Sequence, residues 1–375
     1  MLSWVNHLGR WLGQIKPKAW SSRPRIMFLT EGDTACSQLV SAPLKELHKL
    51  GEIEFSLVYE GDFRGRILRK MARHSDILIA FRGCSRRSIK TFKAAKAAGV
   101  TTVWSSDDDL LELEASNPVG GRYQKSHIRE SMEWMIRSAD CIWVFSPFMQ
   151  RKYAKLRDNV HFTYSVGPFG SFSTTSVEES PHNPETIVRI GHIGDFTHRD
   201  EMLPLIDAIH LLSKKELPIK WQFHFAGYTP EELVGNPFVL STPYIKGVDA
   251  FHQWLRNASW SIGIAPLRNT VFNACKSDNK FRTFGGLGIA GIYTKVPPYL
   301  DAIDDGETGL LVSHDAKLYA DAMEKLMMDT ELRRKISNRA SEICKNRYCH
   351  DSVLASYRDF LEKAKLNQHT LSKAG

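Results

Sequence analysis

The chain has 375 residues, too many for one ordinary hydrophobic core and enough for two α/β domains. Its composition, 42% hydrophobic, 10% aromatic and 25% charged, excludes fibrous, low-complexity and disordered classes. A net charge of +8 directs attention to anionic partners (nucleic acid, lipid headgroups or phosphate-bearing small molecules) and is silent on fold.

Residues 1–20 read as an amphipathic helix, with Trp4, Val5, Leu8, Trp11, Leu12 and Ile15 at helical spacing and Arg10, Lys16 and Lys18 beside them. Such a helix suits a bilayer interface or packing on its own domain. It lacks the charged start and continuous apolar core of a secretory signal. No apolar run reaches the roughly 18 residues of a membrane span.

From Arg25 strand and helix patterns alternate. Residues 25–30 predict a strand ending in Glu31-Gly32-Asp33; 42–50 a helix; 52–59 a strand. Arg64, Arg66, Arg69, Lys70 and Arg73 then crowd one stretch, readable as a solvated helix face or an anion-binding surface. The run 76–81 predicts a strand, followed by Arg82 and a basic helix to Ala98. Strand 100–104 closes on Asp107-Asp108-Asp109; helix 123–138 and strand 141–145 follow. Short apolar runs between helices predict a parallel sheet covered on both faces.

Residues 167–186, rich in Gly, Ser, Thr and Pro, break the pattern and read as an interdomain connection. Alternation resumes with strands at 187–193, 221–226, 260–265 and 289–293, and helices at 202–212, 251–257, 280–287, 318–329 and 332–347. The expected organisation is an N-terminal Rossmann-like domain to residue 168, a linker over 169–186, a second such domain over 187–347 and a final segment 348–375. The six cysteines are scattered without metal-binding spacing and read as buried thiols.

Ligands in doubly wound sheets bind beyond the carboxyl ends of the strands. One such end is Gly191 to Asp195, where Gly194 permits close backbone approach and the following helix offers free N–H groups to a phosphate. A second runs from Pro266 through Asn273 to Lys276, Ser277 and Lys280. Two lysines four residues apart at a helix start make a diphosphate pocket or, more plainly, a surface pair. The Gly285-to-Gly291 run suits tight helix–strand packing. Asp107, Asp108 and Asp109 at a strand end can orient hydroxyls, accept a proton or hold a cation, or one of them caps a helix beginning at Leu110. Glu31, Gly32, Asp33 and Arg82 are the candidate acceptor contacts, and Asp107, Asp109, Lys276 and Lys280 the candidate catalytic groups.

The stretch from Ala265-Pro266-Leu267 through Lys276-Ser277, Lys280 and Pro298-Tyr299 to Gly306-Glu307-Thr308-Gly309-Leu310-Leu311-Val312 resembles the donor half of family 4 (group 1) glycosyltransferases of the GT-B fold. The likeness covers about residues 25–360 and is strongest over 187–340. It implies two facing Rossmann-like domains, with a last helix near 348–365 returning to the first. It implies a nucleotide-sugar donor, UDP by family habit, transfer with retention and no metal. Gly194 and Asp195 would lie by the phosphates, Lys276 and Lys280 would neutralise them, and Tyr244 and Ile245 would meet the base. The family's two glutamates fall at Cys275 and Thr283, the second of these at the ribose.

The expected function is a hexosyl-type transferase building a bacterial-type surface glycan on a glycan or lipid-linked acceptor. The expected place is the cytoplasm, at the inner face of the membrane, held there through residues 1–20 and the arginine-rich stretch. Cys275 and Thr283 motivate a non-catalytic sugar- or nucleotide-binding partner as the alternative. Nucleic-acid binding, resting on charge alone, ranks last because no exposed aromatics interleave the basic residues.

Overall fold

The computed structural model describes residues 23–168 and 187–371; the expected helix at 1–20 and linker at 169–186 lie outside the described residues. The first sheet contains β1 (Arg25–Thr30), β2 (Glu54–Tyr59), β3 (Ile77–Phe81), β4 (Thr101–Ser106), β5 (Cys141–Val144) and β6 (Val160–Phe162). The second contains β7 (Val188–Gly194), β8 (Trp221–Gly227), β9 (Val239–Pro243), β10 (Ile262–Ala265), β11 (Ala290–Thr294) and β12 (Leu310–Val312). The orders are β2-β1-β3-β4-β5-β6 and β12-β11-β10-β7-β8-β9, and every pairing is parallel. Each sheet therefore has helices on both faces. The central strands β3, β4 and β5 are buried at every position, β3 and β5 as continuous apolar runs and β4 with Thr101, Thr102, Ser105 and Ser106 among its buried residues.

The elements differ from expectation in instructive ways. The first helix runs over Ala35–Lys49 instead of beginning at residue 42. Thr34 caps it through a reciprocal bond pair with Ser37, and Pro43 is carried inside instead of opening it. The arginine-rich stretch forms its own helix, Gly65–His74. The expected helix over 123–138 is split into Gly120–Tyr123 and Ser126–Ser138. No helix begins at Leu110, so the capping role considered for the aspartates has no helix to serve.

The final helix, His350–Leu371, leaves the second sheet and packs on the first. Val353, Leu354, Tyr357, Phe360 and Leu361 join the core around Trp143, whose ring stacks on Phe360 at 4.4 Å between centroids. Tyr357 Oη donates to the Val40 carbonyl at 3.1 Å. Arg358 holds Glu52 through two bonds of 2.8 and 2.7 Å. Side chains of this size contribute about 1.5–3 kcal/mol each on burial, so the contact is firm. Among the described residues no helix is long and apolar enough to cross a membrane.

Candidate active site

Two adjoining cavities lie in the cleft between the carboxyl ends of the two sheets. The first, about 280 Å³, is lined by Gly194, Asp195, Tyr244, Ile245, Phe251, His252, Lys280 and Thr283, with Ala35 and Leu39 closing it from the N-terminal domain. The second, about 190 Å³, is lined by Cys36, Asp107, Asp108, His192, Pro266, Lys276, Ser277, Lys280 and Tyr299. Ile193, His198, Asn279 and Lys280 border both.

Strand ends and short helices place the lysines. Thr270 caps the turn Val271–Ala274, accepting from the Asn273 N–H at 3.2 Å, and the chain then passes Lys276 to the helix Asn279–Gly286. Lys280 sits in that helix's first turn, so its ammonium and the helix N–H groups reach the same space. Burial, aided by Lys276, pushes Lys280 down to about 8. Lys276 Nζ lies 4.6 Å from the Phe272 ring centre and 4.0 Å from Asp108 Oδ1 across the cleft. The two cations repel each other and are only partly balanced, by Asp108 beside Lys276 and Asp195 near Lys280, an arrangement that suits an anion.

Backbone at β7 and β8 is cleared for close approach. A Cβ on Gly194 would meet His192 Nε2 at 2.7 Å, and one on Gly227, at φ +109°, would strike the Gly194 carbonyl at 2.2 Å. His192 is buried, with Nδ1 3.1 Å from the Ile264 carbonyl, an arrangement that puts the proton on Nδ1. Burial, then the Lys280 charge, pushes His192 down to about 3. Asp195 uses its carboxylate to accept from the Thr197 N–H at 2.8 Å, fixing the turn that carries His198.

The three aspartates divide. Arg82 donates to Asp107 at 2.5 and 2.8 Å and to Asp108 at 2.8 Å. Arg82 has φ 51°, a left-handed backbone that the two carboxylates help to hold. Burial opposes ionisation of Asp108, but Lys276 and Arg82 outweigh it and hold its carboxyl below the usual range. Asp109, expected to face the cleft, lines neither cavity and is fully buried. It accepts from Lys152 Nζ at 2.7 Å and Tyr153 Oη at 3.0 Å, and lies 3.7 Å from Cys275 Sγ. The reason is local: residues 107–109 leave β4 without entering a helix, so successive side chains diverge. Burial and the Asp109 charge push the Cys275 thiol up to about 12.

The expected acceptor contacts are not at the cavities. Glu31 is paired with Arg122 and accepts from Cys84 Sγ at 3.1 Å. The Gly32 carbonyl accepts from Ser37 Oγ at 3.2 Å, and Asp33 from Gln38 Nε2 at 3.0 Å. Arg82 lies behind its carboxylates. The N-terminal wall is instead the start of the next helix, at Ala35, Cys36 and Leu39. Asn273 is also behind the lining, buried, with Nδ2 donating to Glu201 at 3.1 Å and to the Arg268 carbonyl at 3.0 Å. Of the other expected donor residues, Gly194, Asp195, Tyr244, Ile245, Lys280 and Thr283 line the first cavity, and Pro266, Lys276, Ser277 and Lys280 the second. Asp108 was read with its two neighbours as one acidic strand end, and His192, His198 and Cys36 were given no role from the sequence. The Thr197-His198-Arg199-Asp200 turn at a strand end was the available signal for His198.

Residues 187–329 match a family model described as Glycosyl transferases group 1. No curated protein matches the sequence. Among solved structures, HepE from Anabaena in complex with UDP and glucose is similar at TM-score 0.66 and 13% identity, over 91% of this chain and 100% of that one. Sucrose-phosphate synthase from Thermosynechococcus elongatus is similar at TM-score 0.63 and 13% identity, over 91% and 99%. A Listeria monocytogenes protein assigned as a UDP-N-acetylglucosamine 2-epimerase reaches TM-score 0.56 at 13% identity, over 91% and 97%. At this identity the likeness is one of fold, and since one fold serves several reactions, the family match and the cleft residues carry the choice of chemistry.

Proposed function

From the premise that this chain has the GT-B fold and that its residues 187–329 match the glycosyl transferases group 1, we propose that it transfers a hexosyl unit from UDP-sugar to a glycan or lipid-linked acceptor, with retention. The observation that carries the reading is Lys280, at the junction of the two cavities, with Lys276 four residues before it and a helix N-terminus beneath. The nucleoside occupies the first cavity, against Tyr244, Ile245 and Thr283. The diphosphate lies over Gly194 and between the lysines, and the sugar enters the second cavity toward Asp108.

In that pose the bond between the anomeric carbon and the phosphate oxygen breaks, and its electron pair leaves with the nucleotide. Lys276, Lys280 and the helix N–H groups stabilise the charge that develops, as fixed dipoles and cations do without reorganising. The acceptor oxygen bonds the anomeric carbon from the same face, and its proton passes to the departing phosphate. Fixed cations do the work that a metal does elsewhere. Asp107 and Asp108 orient hydroxyls, and Arg82 holds them in place.

The acceptor belongs to the N-terminal side. There the helices Gly65–His74 and Arg86–Ala97 pack together and carry no acid, while Arg66, Lys70, Arg73, Lys90 and Lys93 are exposed. Such a face suits the inner leaflet of an anionic membrane, where surface glycans are begun on lipid carriers.

Thermal unfolding with UDP, GDP, CMP, dTDP and their sugar conjugates tests the donor assignment. Binding at a hundredfold excess over Kd stabilises by about 2.7 kcal/mol. A shift with uridine nucleotides, lost in Lys280→Ala, supports the reading; no shift with any of them at millimolar concentration overturns it. Thr283, which lines the first cavity in place of a carboxylate, motivates the second reading of a non-catalytic binding partner. Slow donor hydrolysis without acceptor separates the two, since a binding partner gives none.

A further inference from the structure

We propose that His198 is a third, proton-responsive member of the diphosphate site: neutral while the site is empty, it takes up a proton as the donor binds and donates to the phosphates. The inference rests on the reading of Lys276 and Lys280 as diphosphate ligands. His198 stands immediately before the helix Arg199–Ser213 and borders both cavities, as Lys280 does. Among the described residues its ring is given no hydrogen bond. The nearest carboxylate oxygen, Glu201 Oε2, is 3.9 Å from Nδ1, beyond hydrogen-bonding reach.

The groups facing the ring come from five elements. Lys276 and Lys280 approach from the chain after β10, His192 from β7, Asp195 from the ring's own turn, Glu201 from the helix that follows and Asp108 from the opposite domain. Burial, then Lys276 and Lys280, hold His198 down to about 3, with Asp195 and Asp108 pulling the other way. The helix N-terminus also disfavours a cation there. An empty site therefore tolerates two cations and rejects the third.

A nucleotide-sugar diphosphate brings two negative charges into that space. It pairs the two lysines and adds its own attraction for a proton. At an effective dielectric of about 20, one unit charge about 4 Å away moves a pKa by about three units, so the reversal is large enough to carry His198 through neutrality. The third cation then exists only when there is a leaving group to stabilise, and the empty protein is spared the repulsion of keeping it.

The test is calorimetric titration with UDP-glucose at pH 6.5, without acceptor, in buffers of different ionisation enthalpy. The slope of observed heat against buffer heat counts protons. A diphosphate diester has no proton of its own near this pH, and Lys280, titrating near 8, is already protonated. The wild type is expected to take up roughly half to one proton. His198→Gln is expected to take up less than about a tenth and to bind about tenfold more weakly. If His198→Gln fails to fold, His198→Asn, which suits a helix start, replaces it. Binding by the wild type without uptake overturns the proposal, as does equal uptake by the variant. If UDP-glucose does not bind and no other nucleotide sugar replaces it, the diphosphate reading itself falls and takes this proposal with it.

Discussion

Lys280 makes a prediction by its charge alone. Its ammonium titrates near 8, and only the cation attracts a diphosphate, so nucleotide affinity should weaken as pH rises above about 8. Isothermal titration between pH 7 and 9 checks this, and an affinity that stays flat in that range detaches Lys280 from the phosphates. Asp109 makes a different kind of prediction. Its carboxylate is buried among Lys152, Tyr153 and Cys275. Asp109→Asn should therefore lower stability by about 1–3 kcal/mol in urea unfolding, by weakening the buried bonds from Tyr153 and Lys152, although Lys152 keeps its pair with Glu112. Asp107→Asn, at the cavity wall, should instead reduce turnover in a folded protein. His192 adds an acid sensitivity. It is neutral when folded, at about 3, and titrates near 6.5 when unfolded, so protons favour the unfolded chain as pH falls below about 6.5. The loss is about 1.4 kcal/mol per pH unit, and thermal unfolding from pH 7 to 5 should show a shallower decline in His192→Asn than in the wild type.

These residues also mark how far the sequence could be read. The lysine spacing and the Gly194 turn were legible because strand-to-helix turns impose few choices on where a side chain points. Asp108 and Asp109 were not distinguishable, since the direction of each side chain in a loop depends on which neighbours are there to receive it. Arg82 was placed correctly at its strand end, but its role as a brace for Asp107 and Asp108 depends on which strand pairs beside β3, and this is β4. His198 was visible as a turn residue and nothing more, because its neighbours come from both domains.

Among the elements, legibility followed burial. β1 was read to the residue, and β3 and β5 nearly so, because strands buried on both faces favour apolar runs; β4, read over 100–104, runs on through the buried Ser105 and Ser106, which that pattern does not show. The strands β6, β9 and β12 were missed. They are three to five residues long, and each lies at a sheet edge, where half-exposed positions blur the pattern. The first helix starts earlier than its apolar pattern, because the Thr34–Ser37 box opens it and Pro43 is carried inside. The returning helix carries its own test. Phe360→Ala removes a ring stacked on Trp143 and should cost about 3–5 kcal/mol in urea unfolding. A change under about 1 kcal/mol would mean that the helix docks without contributing to that core.

At the scale of the molecule, the two domains meet through contacts that are mostly half-exposed. Arg268 reaches Glu114 at 2.8 Å, Arg151 reaches Asp301 at 2.7 Å, and Asn117 donates to the Thr197 carbonyl at 3.2 Å. Pairs of this kind are worth about 0–1 kcal/mol each, while Asp109 and Cys275 add one buried contact between the domains. The basic face beside it predicts salt-sensitive adsorption. Replacing Arg66, Lys70 and Arg73 with Gln should weaken binding to phosphatidylglycerol vesicles about a hundredfold, at about 1 kcal/mol per lost cation. Unchanged binding would return these residues to the role of a solvated helix surface.

The returning helix also sets a schedule. The strand with Trp143 leaves the ribosome long before Phe360 does, and at about 5–20 residues per second the delay is roughly 10–45 seconds. Throughout that interval the first sheet lacks one wall of its core, while the second sheet is made within it and closes with Tyr348, shortly before Phe360 emerges. The domain translated first is thus the domain finished last, and nascent chains stalled before residue 353 should present an open apolar face to chaperones.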